Sequence, residues 1–185
     1  MKNSLIVAGI MLILGVVIIP VVWSDDDHDE WLEYSRRSTG VELLINPVYN
    51  EECGDCHMAY PPGLLPAASW QRVMSGLEHH FGDNAELDDM SYARISDFLA
   101  ANSADKSDYR RSRRFAMNYN PGNVHTRISE TSYFKHEHDE IPTYLVTGNK
   151  EVNSFSNCNT CHLKAEQASF RERDIFIPGY GRWDD

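Results

Sequence analysis

Two short segments of the sequence carry the residues with the most distinctive chemistry. They read CGDCH at residues 53–57 and CNTCH at residues 158–162, and together they contain all four cysteines of the chain. Paired thiols at this spacing can form a disulfide, take part in thiol–disulfide exchange, bind zinc, or form thioether bonds to a haem. In the last case, the histidine that follows the second cysteine supplies an imidazole to the iron.

The spacing of the two segments favours the haem interpretation. Paired zinc knuckles lie roughly 15 to 20 residues apart, whereas about a hundred residues separate these two pairs. Thiol exchange of the thioredoxin type is typical of a βαβ setting, which the sequence does not indicate. With eight histidines in 185 residues, a histidine follows both pairs by chance with a probability of only about 0.002. Zinc and disulfides remain the alternatives.

We therefore predict two covalently bound haems of the c type. Each motif would supply two thioether bonds and one iron ligand. The predicted attachment residues are Cys53, Cys56, Cys158 and Cys161, and the predicted ligands from the motifs are His57 and His162.

The elements around the motifs predict a mainly α fold, with small helices and long loops wrapped around the two haems. A cap at Ser69 and a helical stripe of apolar residues predict a helix that ends near Phe81, where Gly82 can close it. A second helix is predicted after Asp88 or Asp89, with Tyr92, Ile95 and Leu99 as its stripe, and a third over residues 157–170. Strand-like alternation is limited to PTYLVTG at residues 142–148.

The domain organisation follows from shifts in composition. The predicted segments are an export signal or retained membrane anchor at residues 1–24, a polar spacer at 25–43, a dihaem domain at 44–178 and a tail at 179–185. Within the domain, the first haem half would span about residues 44–105 and the second about 106–178.

The amino terminus indicates export from the cytoplasm. Lys2 precedes an apolar stretch from Leu5 to Trp23, and an acidic run begins at Asp25. The stretch is longer than a cleavable signal core of roughly 7 to 15 residues and close to the about 20 residues of a membrane span. Both cleavage and retention of residues 4–23 as a membrane tether therefore remain open, and in both cases the bulk of the chain lies in an oxidising compartment.

Helical phase selects two further histidines as ligands for the opposite faces of the irons. On the predicted helix, His80 lies with the buried stripe and His79 on the opposite side. Phe134, His138 and Ile141 share a face if their segment is helical, which leaves His136 on the other face, and His125 is a reserve candidate. His80 follows His57 by 23 residues and His138 precedes His162 by 24, so the shortest loops pair His57 with His80 and His138 with His162.

The sequence resembles the dihaem cytochrome c family of bacterial periplasmic electron carriers. The resemblance covers most of residues 44–178 and rests on NPVYNEECGDCHMAYPPGLLP, on W...M..L..HFG.NA.LD from Trp70, on RISET.YF...HDEI from Arg127 and on CNTCH. It implies a periplasmic protein with two covalent haems, each with two histidine ligands, at the positions of His57, His80, His138 and His162. It also implies a membrane cytochrome of b type as electron donor and a small soluble haem protein as acceptor.

Composition and ligand set together indicate an electron carrier. The chain has 17 Lys and Arg against 28 Asp and Glu, a net charge of −11, which repels nucleic acid and favours redox partners with basic docking surfaces. An iron with two imidazoles has no position for a substrate, and we predict no catalytic residue. The alternatives are a membrane-anchored haem subunit of a larger respiratory complex and a dihaem enzyme with one open iron site. Candidate partners of the haem propionates are Arg110, Arg111, Arg113, Arg114, Arg127 and Arg173.

Overall fold

The structure is a computed structural model that describes residues 40–117 and 119–183. The predicted export signal or anchor, and the predicted spacer up to residue 39, lie outside the described residues. Within the described part of the chain, no helix is both long and apolar enough to cross a membrane.

Short helices joined by long loops make up the fold, so the mainly helical prediction is confirmed. The α-helices are α1 (Pro47–Gly54), α2 (Ala67–Met74), α3 (Asp89–Ala101), α4 (Arg110–Met117), α5 (Ser132–Glu137) and α6 (Cys158–Cys161). Single 3₁₀ turns lie at Pro62–Leu64, Leu77–His79, Ile128–Glu130, Thr143–Leu145, Ala165–Gln167 and Glu172–Asp174. Strands β1 (Phe176–Ile177) and β2 (Gly181–Arg182) form an antiparallel pair in which Phe176 lies opposite Arg182.

Side-chain caps fix where three of these helices begin. The Asn46 side chain accepts a hydrogen bond from the Tyr49 amide ahead of α1, and Thr131 does the same for the Phe134 amide in α5. The Asp88 carboxylate accepts from the amides of the second and third residues of α3. Each cap satisfies an amide that the helix itself leaves unpaired, and the predicted start of α3 is confirmed.

Three apolar clusters form the core. Core A, between α1, α2 and α3, contains Tyr49, Leu65, Trp70, Met74, Ile95 and Leu99. Core B contains Val41, Leu64, Ala104, Phe115, Phe134 and Ala168, and core C contains Leu145, Val146, Val152 and Ile177. Ile95 and Leu99 are completely buried, as their predicted stripe requires, whereas Tyr92 is 40% exposed and does not belong to it.

The predicted helix from Ser69 to Phe81 is wrong at both ends. Helix α2 begins after Pro66, which leaves Ser69 buried inside the helix, and it ends at Met74. Ser75 and Gly76 are weak helix formers, and the chain continues from there into the 3₁₀ turn at Leu77–His79.

The structure also corrects the expectations for the carboxyl-terminal part of the chain. The predicted helix over residues 157–170 is limited to α6, because His162 leaves the helical conformation with ψ 87° and Ala168 is left-handed with φ 56°. The strand-like segment at residues 142–148 contains a 3₁₀ turn instead. Gly181 and Arg182, which the sequence places in a tail, pair with β1, and Trp183 packs against core C.

Candidate haem sites

The structure brings the four predicted histidine ligands together as two facing pairs. The ring centres of His57 and His80 lie 6.1 Å apart with their planes 23° from parallel. The ring centres of His138 and His162 are also 6.1 Å apart, but their planes cross at 75°. These are the pairs that the shortest loops predict.

The separation within each pair fits one metal ion between two imidazoles. A bond from a metal to an imidazole nitrogen is about 2 Å long, and the ring adds roughly 1.1 Å from that nitrogen to its centre. Two such arms give about 6 Å between ring centres, which is the separation observed in both pairs. A haem iron needs only two such ligands from the protein, because the porphyrin supplies its other four nitrogen ligands.

We call the group of Cys53, Cys56, His57 and His80 the first site. Helix α1 ends at Gly54, so Cys53 lies in its last turn, while Cys56 lies in the exposed turn that follows. The Nδ1 of His57 lies 2.8 Å from the carbonyl oxygen of Met58 and donates to it as the protonated nitrogen. This hydrogen bond leaves the lone pair of Nε2 for a metal.

A strained turn presents His80 to the first site. Phe81 adopts φ 54°, a conformation that bulky residues rarely occupy, and Gly82 follows with φ 116°. The guanidinium carbon of Arg127 lies 3.9 Å from the centre of the Phe81 ring, a cation–π contact that holds the turn. Burial, with the nearby His57 and Arg127, lowers the pKa of His80 below its usual value, which favours the neutral ring that binds metals.

We call the group of Cys158, Cys161, His138 and His162 the second site, and it is the more enclosed of the two. Both cysteines and both histidines line one cavity of about 180 Å³. Burial, and secondarily the neighbouring His138 and Arg111, lowers the pKa of His162 to about 4. This ring is therefore neutral at physiological pH and can act as a metal ligand.

Aromatic side chains fix the orientation of His138 in the second site. Its ring lies flat on that of Phe134, with centres 3.8 Å apart and planes 10° from parallel. Phe155 stands perpendicular to both rings. The Nδ1 of His138 donates to the carbonyl oxygen of Phe134 at 2.8 Å, and burial lowers the pKa of the imidazole.

The thiols of Cys53 and Cys158 do not have the environment of thiols in exchange reactions. None of the four cysteines forms a disulfide. Burial raises the pKa of Cys53 and of Cys158 to about 11, whereas thiols in exchange reactions have a lowered pKa. Within residues 40–117 and 119–183, no group of three or more His, Cys, Asp or Glu side chains could hold a metal ion, so the four-ligand zinc site is not formed. Thioether attachment remains consistent with both motifs.

The reserve histidines lie outside both pairs. The side chains of His79 and His136 are 84% and 77% exposed, and each lies near a carboxylate of its own segment. His125 is half-buried with its Nε2 3.5 Å from the Asn123 amide nitrogen.

Two of the candidate arginines lie at the sites. Arg111 lines the cavity of the second site and bonds to Tyr133 and Glu137. Arg127 reaches the turn of His80 through Phe81. The other candidates are exposed: Arg110, Arg113, Arg114 and Arg173.

Tyr60 links the two sites, a role that sequence reasoning missed. Its ring stacks on His57 with centres 4.9 Å apart, and its hydroxyl donates to the carbonyl oxygen of Ser156 at 2.7 Å. Ser156 lies two residues before Cys158, and Tyr60 packs against both core A and core B. Its position three residues after His57 is the one signal in the sequence, but the partner 96 residues away could not be read from it.

Two C-x-x-C-H motifs, each beside a pair of imidazoles spaced for one iron, define a cytochrome of the c type. Comparison with known proteins gives the family. A sequence model of dihaem cytochrome c matches residues 49–170, and the chain belongs to this family, whose members carry two c-type haems. The family implies electron transfer.

Solved structures support the assignment. The chain is 42% identical to a dihaem cytochrome c of Shewanella baltica, with a TM-score of 0.63 over 75% of this chain and 98% of that one. It is 39% identical to a dihaem cytochrome c of Rhodobacter sphaeroides, with a TM-score of 0.62 over 69% of this chain and 98% of that one. A structure of DHC purified from Rhodobacter sphaeroides is 38% identical, with a TM-score of 0.56 over 70% of this chain and 100% of that one. The search of curated proteins gave no match.

Proposed function

We propose that this protein is a periplasmic electron carrier that relays electrons between a membrane cytochrome of b type and a small soluble haem protein. In this proposal His57 and His80 ligate the first haem and His138 and His162 the second. The 6.1 Å separation within each pair carries the proposal. When bound, each haem supplies an iron that gains or loses one electron.

In this proposal, the residues of the chain limit the reaction at each iron to electron transfer. The cysteines would attach each haem, and the paired imidazoles would ligate its iron. The hydrogen bonds from His57 to Met58 and from His138 to Phe134 place the ring proton on Nδ1 and leave Nε2 as the nitrogen that would bind iron. No face is left for oxygen, peroxide or a substrate, so this ligation argues against the alternative of a dihaem enzyme.

Carbon monoxide tests this ligation directly. We expect that the reduced protein, with both haems in place, keeps its absorption spectrum when carbon monoxide is added, because both irons are saturated. Rapid binding to one haem would contradict the proposal and favour an enzyme with an open site. The reduced-minus-oxidised spectrum with a pyridine haemochrome count serves as the control for two intact haems.

Electrostatic docking is the proposed basis of partner recognition. The net charge of −11 is not spread evenly, because residues 38–71 contain Glu42, Glu51, Glu52 and Asp55 but no lysine or arginine. The last three are exposed beside the first site. A partner with a basic surface would approach that site fastest.

We expect electron transfer to a small basic haem protein to slow by about tenfold or more between low and physiological ionic strength, because salt screens exposed charges. Stopped-flow mixing at several salt concentrations measures this rate. The E51Q/E52Q protein should be slower at low salt and less sensitive to added salt. The matched change D97N/E151Q, at exposed carboxylates of α3 and of the loop before α6, should have less effect. A rate independent of salt would contradict electrostatic docking.

Location in the periplasm is part of the same proposal. It is supported by the family and by the apolar amino-terminal segment. The alternative of an anchored subunit depends on residues 4–23. Detection of these residues by mass spectrometry of the mature protein, together with a stable membrane complex, would favour that alternative.

A further inference from the structure

We propose that the two haems differ in potential in a fixed order: the haem of the second site is reduced first, at the higher midpoint potential, and the haem of the first site is reduced second. The inference rests on the proposed ligation by two histidines at each iron. It adds a direction to the relay, because the first electron to enter would reside at the second site.

The angle between the two imidazole planes is the first argument. Two of the iron d orbitals can interact with the π electrons of the imidazoles. Parallel rings both donate into the same one of these two orbitals and raise its energy above that of the other. Low-spin ferric iron has one electron too few to fill its lower d orbitals, so a difference in energy between these orbitals stabilises it. In low-spin ferrous iron these orbitals are all filled, and the difference gives no stabilisation. Rings at 23°, as in the first site, therefore favour the ferric state and lower the potential, and rings crossed at 75°, as in the second site, do not.

Contacts with neighbouring side chains make this angle a property of the fold. In the second site, His138 lies flat on Phe134, and His162 meets the edge of Phe170 at 5.4 Å and 68°. In the first site, His57 lies on Tyr60. Phe134 belongs to core B and is 7% exposed, so the stacked ring cannot turn without disturbing the core. Phe134 is thus a positioning residue for the second haem.

Burial is the second argument. The second site lies around a cavity whose lining includes both of its cysteines, whereas Cys56 of the first site is exposed and Phe81 beside His80 is 46% exposed. The ferric haem carries one more positive charge than the ferrous haem, and a charge is less stable where water is excluded. The stronger burial of the second site thus raises its potential.

Charge is the third argument. The first motif contains Asp55 between its cysteines and follows Glu51 and Glu52, with no basic residue nearby in the chain, and these negative charges stabilise ferric iron. The second motif has neutral residues between its cysteines and is followed by Glu166 and by Lys164, whose ammonium pairs with Asp174 at 3.1 Å.

Each site also has one arginine near it, and the carboxylates of Glu137 and Glu172 line the second cavity. The charge difference between the sites therefore rests on Asp55, which lies inside the first motif. The ring angle and the burial give the same order, and the charge of Asp55 adds to it.

Electron paramagnetic resonance (EPR) during a redox titration of the protein with both haems tests the order. Ferric low-spin iron with near-parallel rings gives a rhombic spectrum, and crossed rings give one strong feature at large g. We expect both signals in the oxidised protein, and we expect the large-g signal to disappear first as the potential is lowered. Loss of the rhombic signal first, simultaneous loss, or two rhombic signals would overturn the proposal. A high-spin signal before titration would instead contradict the ligation by two histidines.

Single substitutions connect each signal to its site. Asp55→Asn, an exposed change, should raise the midpoint of the rhombic signal and leave that of the large-g signal unchanged. Phe134→Leu should make the large-g signal more rhombic and lower its midpoint, whereas Phe176→Leu, at an exposed position of β1, should change neither. If Phe134→Leu fails to fold, Asp55→Asn still shows which EPR signal belongs to the first site. A shift of the large-g signal in that variant would overturn the assignment.

Discussion

Replacement of His80 by alanine is expected to convert the haem of the first site from low-spin to high-spin and to let it bind carbon monoxide, while the second haem stays low-spin. The ring of His80 lies 6.1 Å from that of His57, and the two rings of the second site lie at the same distance from each other. Removal of one imidazole therefore opens one face of one iron. EPR and carbon monoxide titration should show one high-spin haem and one bound carbon monoxide per protein.

His79→Ala is the matched control for this change. The His79 side chain is 84% exposed and lies next to His80 in the chain, so its removal should leave both spectra unchanged. Loss of the low-spin signal from the second haem in His80→Ala would show that the ligands are paired across the sites. A protein that stays fully low-spin would show that another side chain, such as His79 or His125, replaces His80.

The prediction of His80 shows how a sequence argument can choose a residue for an incorrect reason. The helical phase that favoured His80 over His79 assumed a continuous helix to Phe81, but α2 ends at Met74. His80 faces His57 because the chain turns at Phe81 and Gly82, and Arg127 holds that turn from 46 residues further along the chain. Neither the left-handed Phe81 nor its distant partner leaves a periodic signal in the sequence.

At the second site, sequence reasoning was closer to the structure. Phe134 and His138 were expected on one helix face at a spacing of four, and their rings stack at 3.8 Å. Local periodicity is sufficient there because both residues belong to α5 and its cap. The angle between the ring planes of His138 and His162 was not predictable, since it depends on contacts with Phe155 and Phe170, which lie outside α5.

Replacement of both Cys158 and Cys161 by alanine is expected to remove one covalent haem and to destabilise the fold strongly. Helix α6 has four residues, and isolated helices of that length are not stable in water. The side chains around the second site line a partly open cavity of about 180 Å³, and leaving such a volume unfilled costs at most about 4 kcal/mol at roughly 24 cal/mol per Å³. For a protein of this size, that upper limit corresponds to a fall in Tm of about 8 to 16 °C.

The double variant C53A/C56A is the matched comparison for this prediction. It should also lose one haem, but with a smaller fall in Tm, because the first site is more exposed and core A packs α1, α2 and α3 together without the second site. Pyridine haemochrome assays give the haem count, and circular dichroism gives both melting temperatures. Two haems remaining in C158A/C161A would contradict attachment through these cysteines. A larger fall in C53A/C56A would show that filling the second cavity is not the main contribution of the haems to stability.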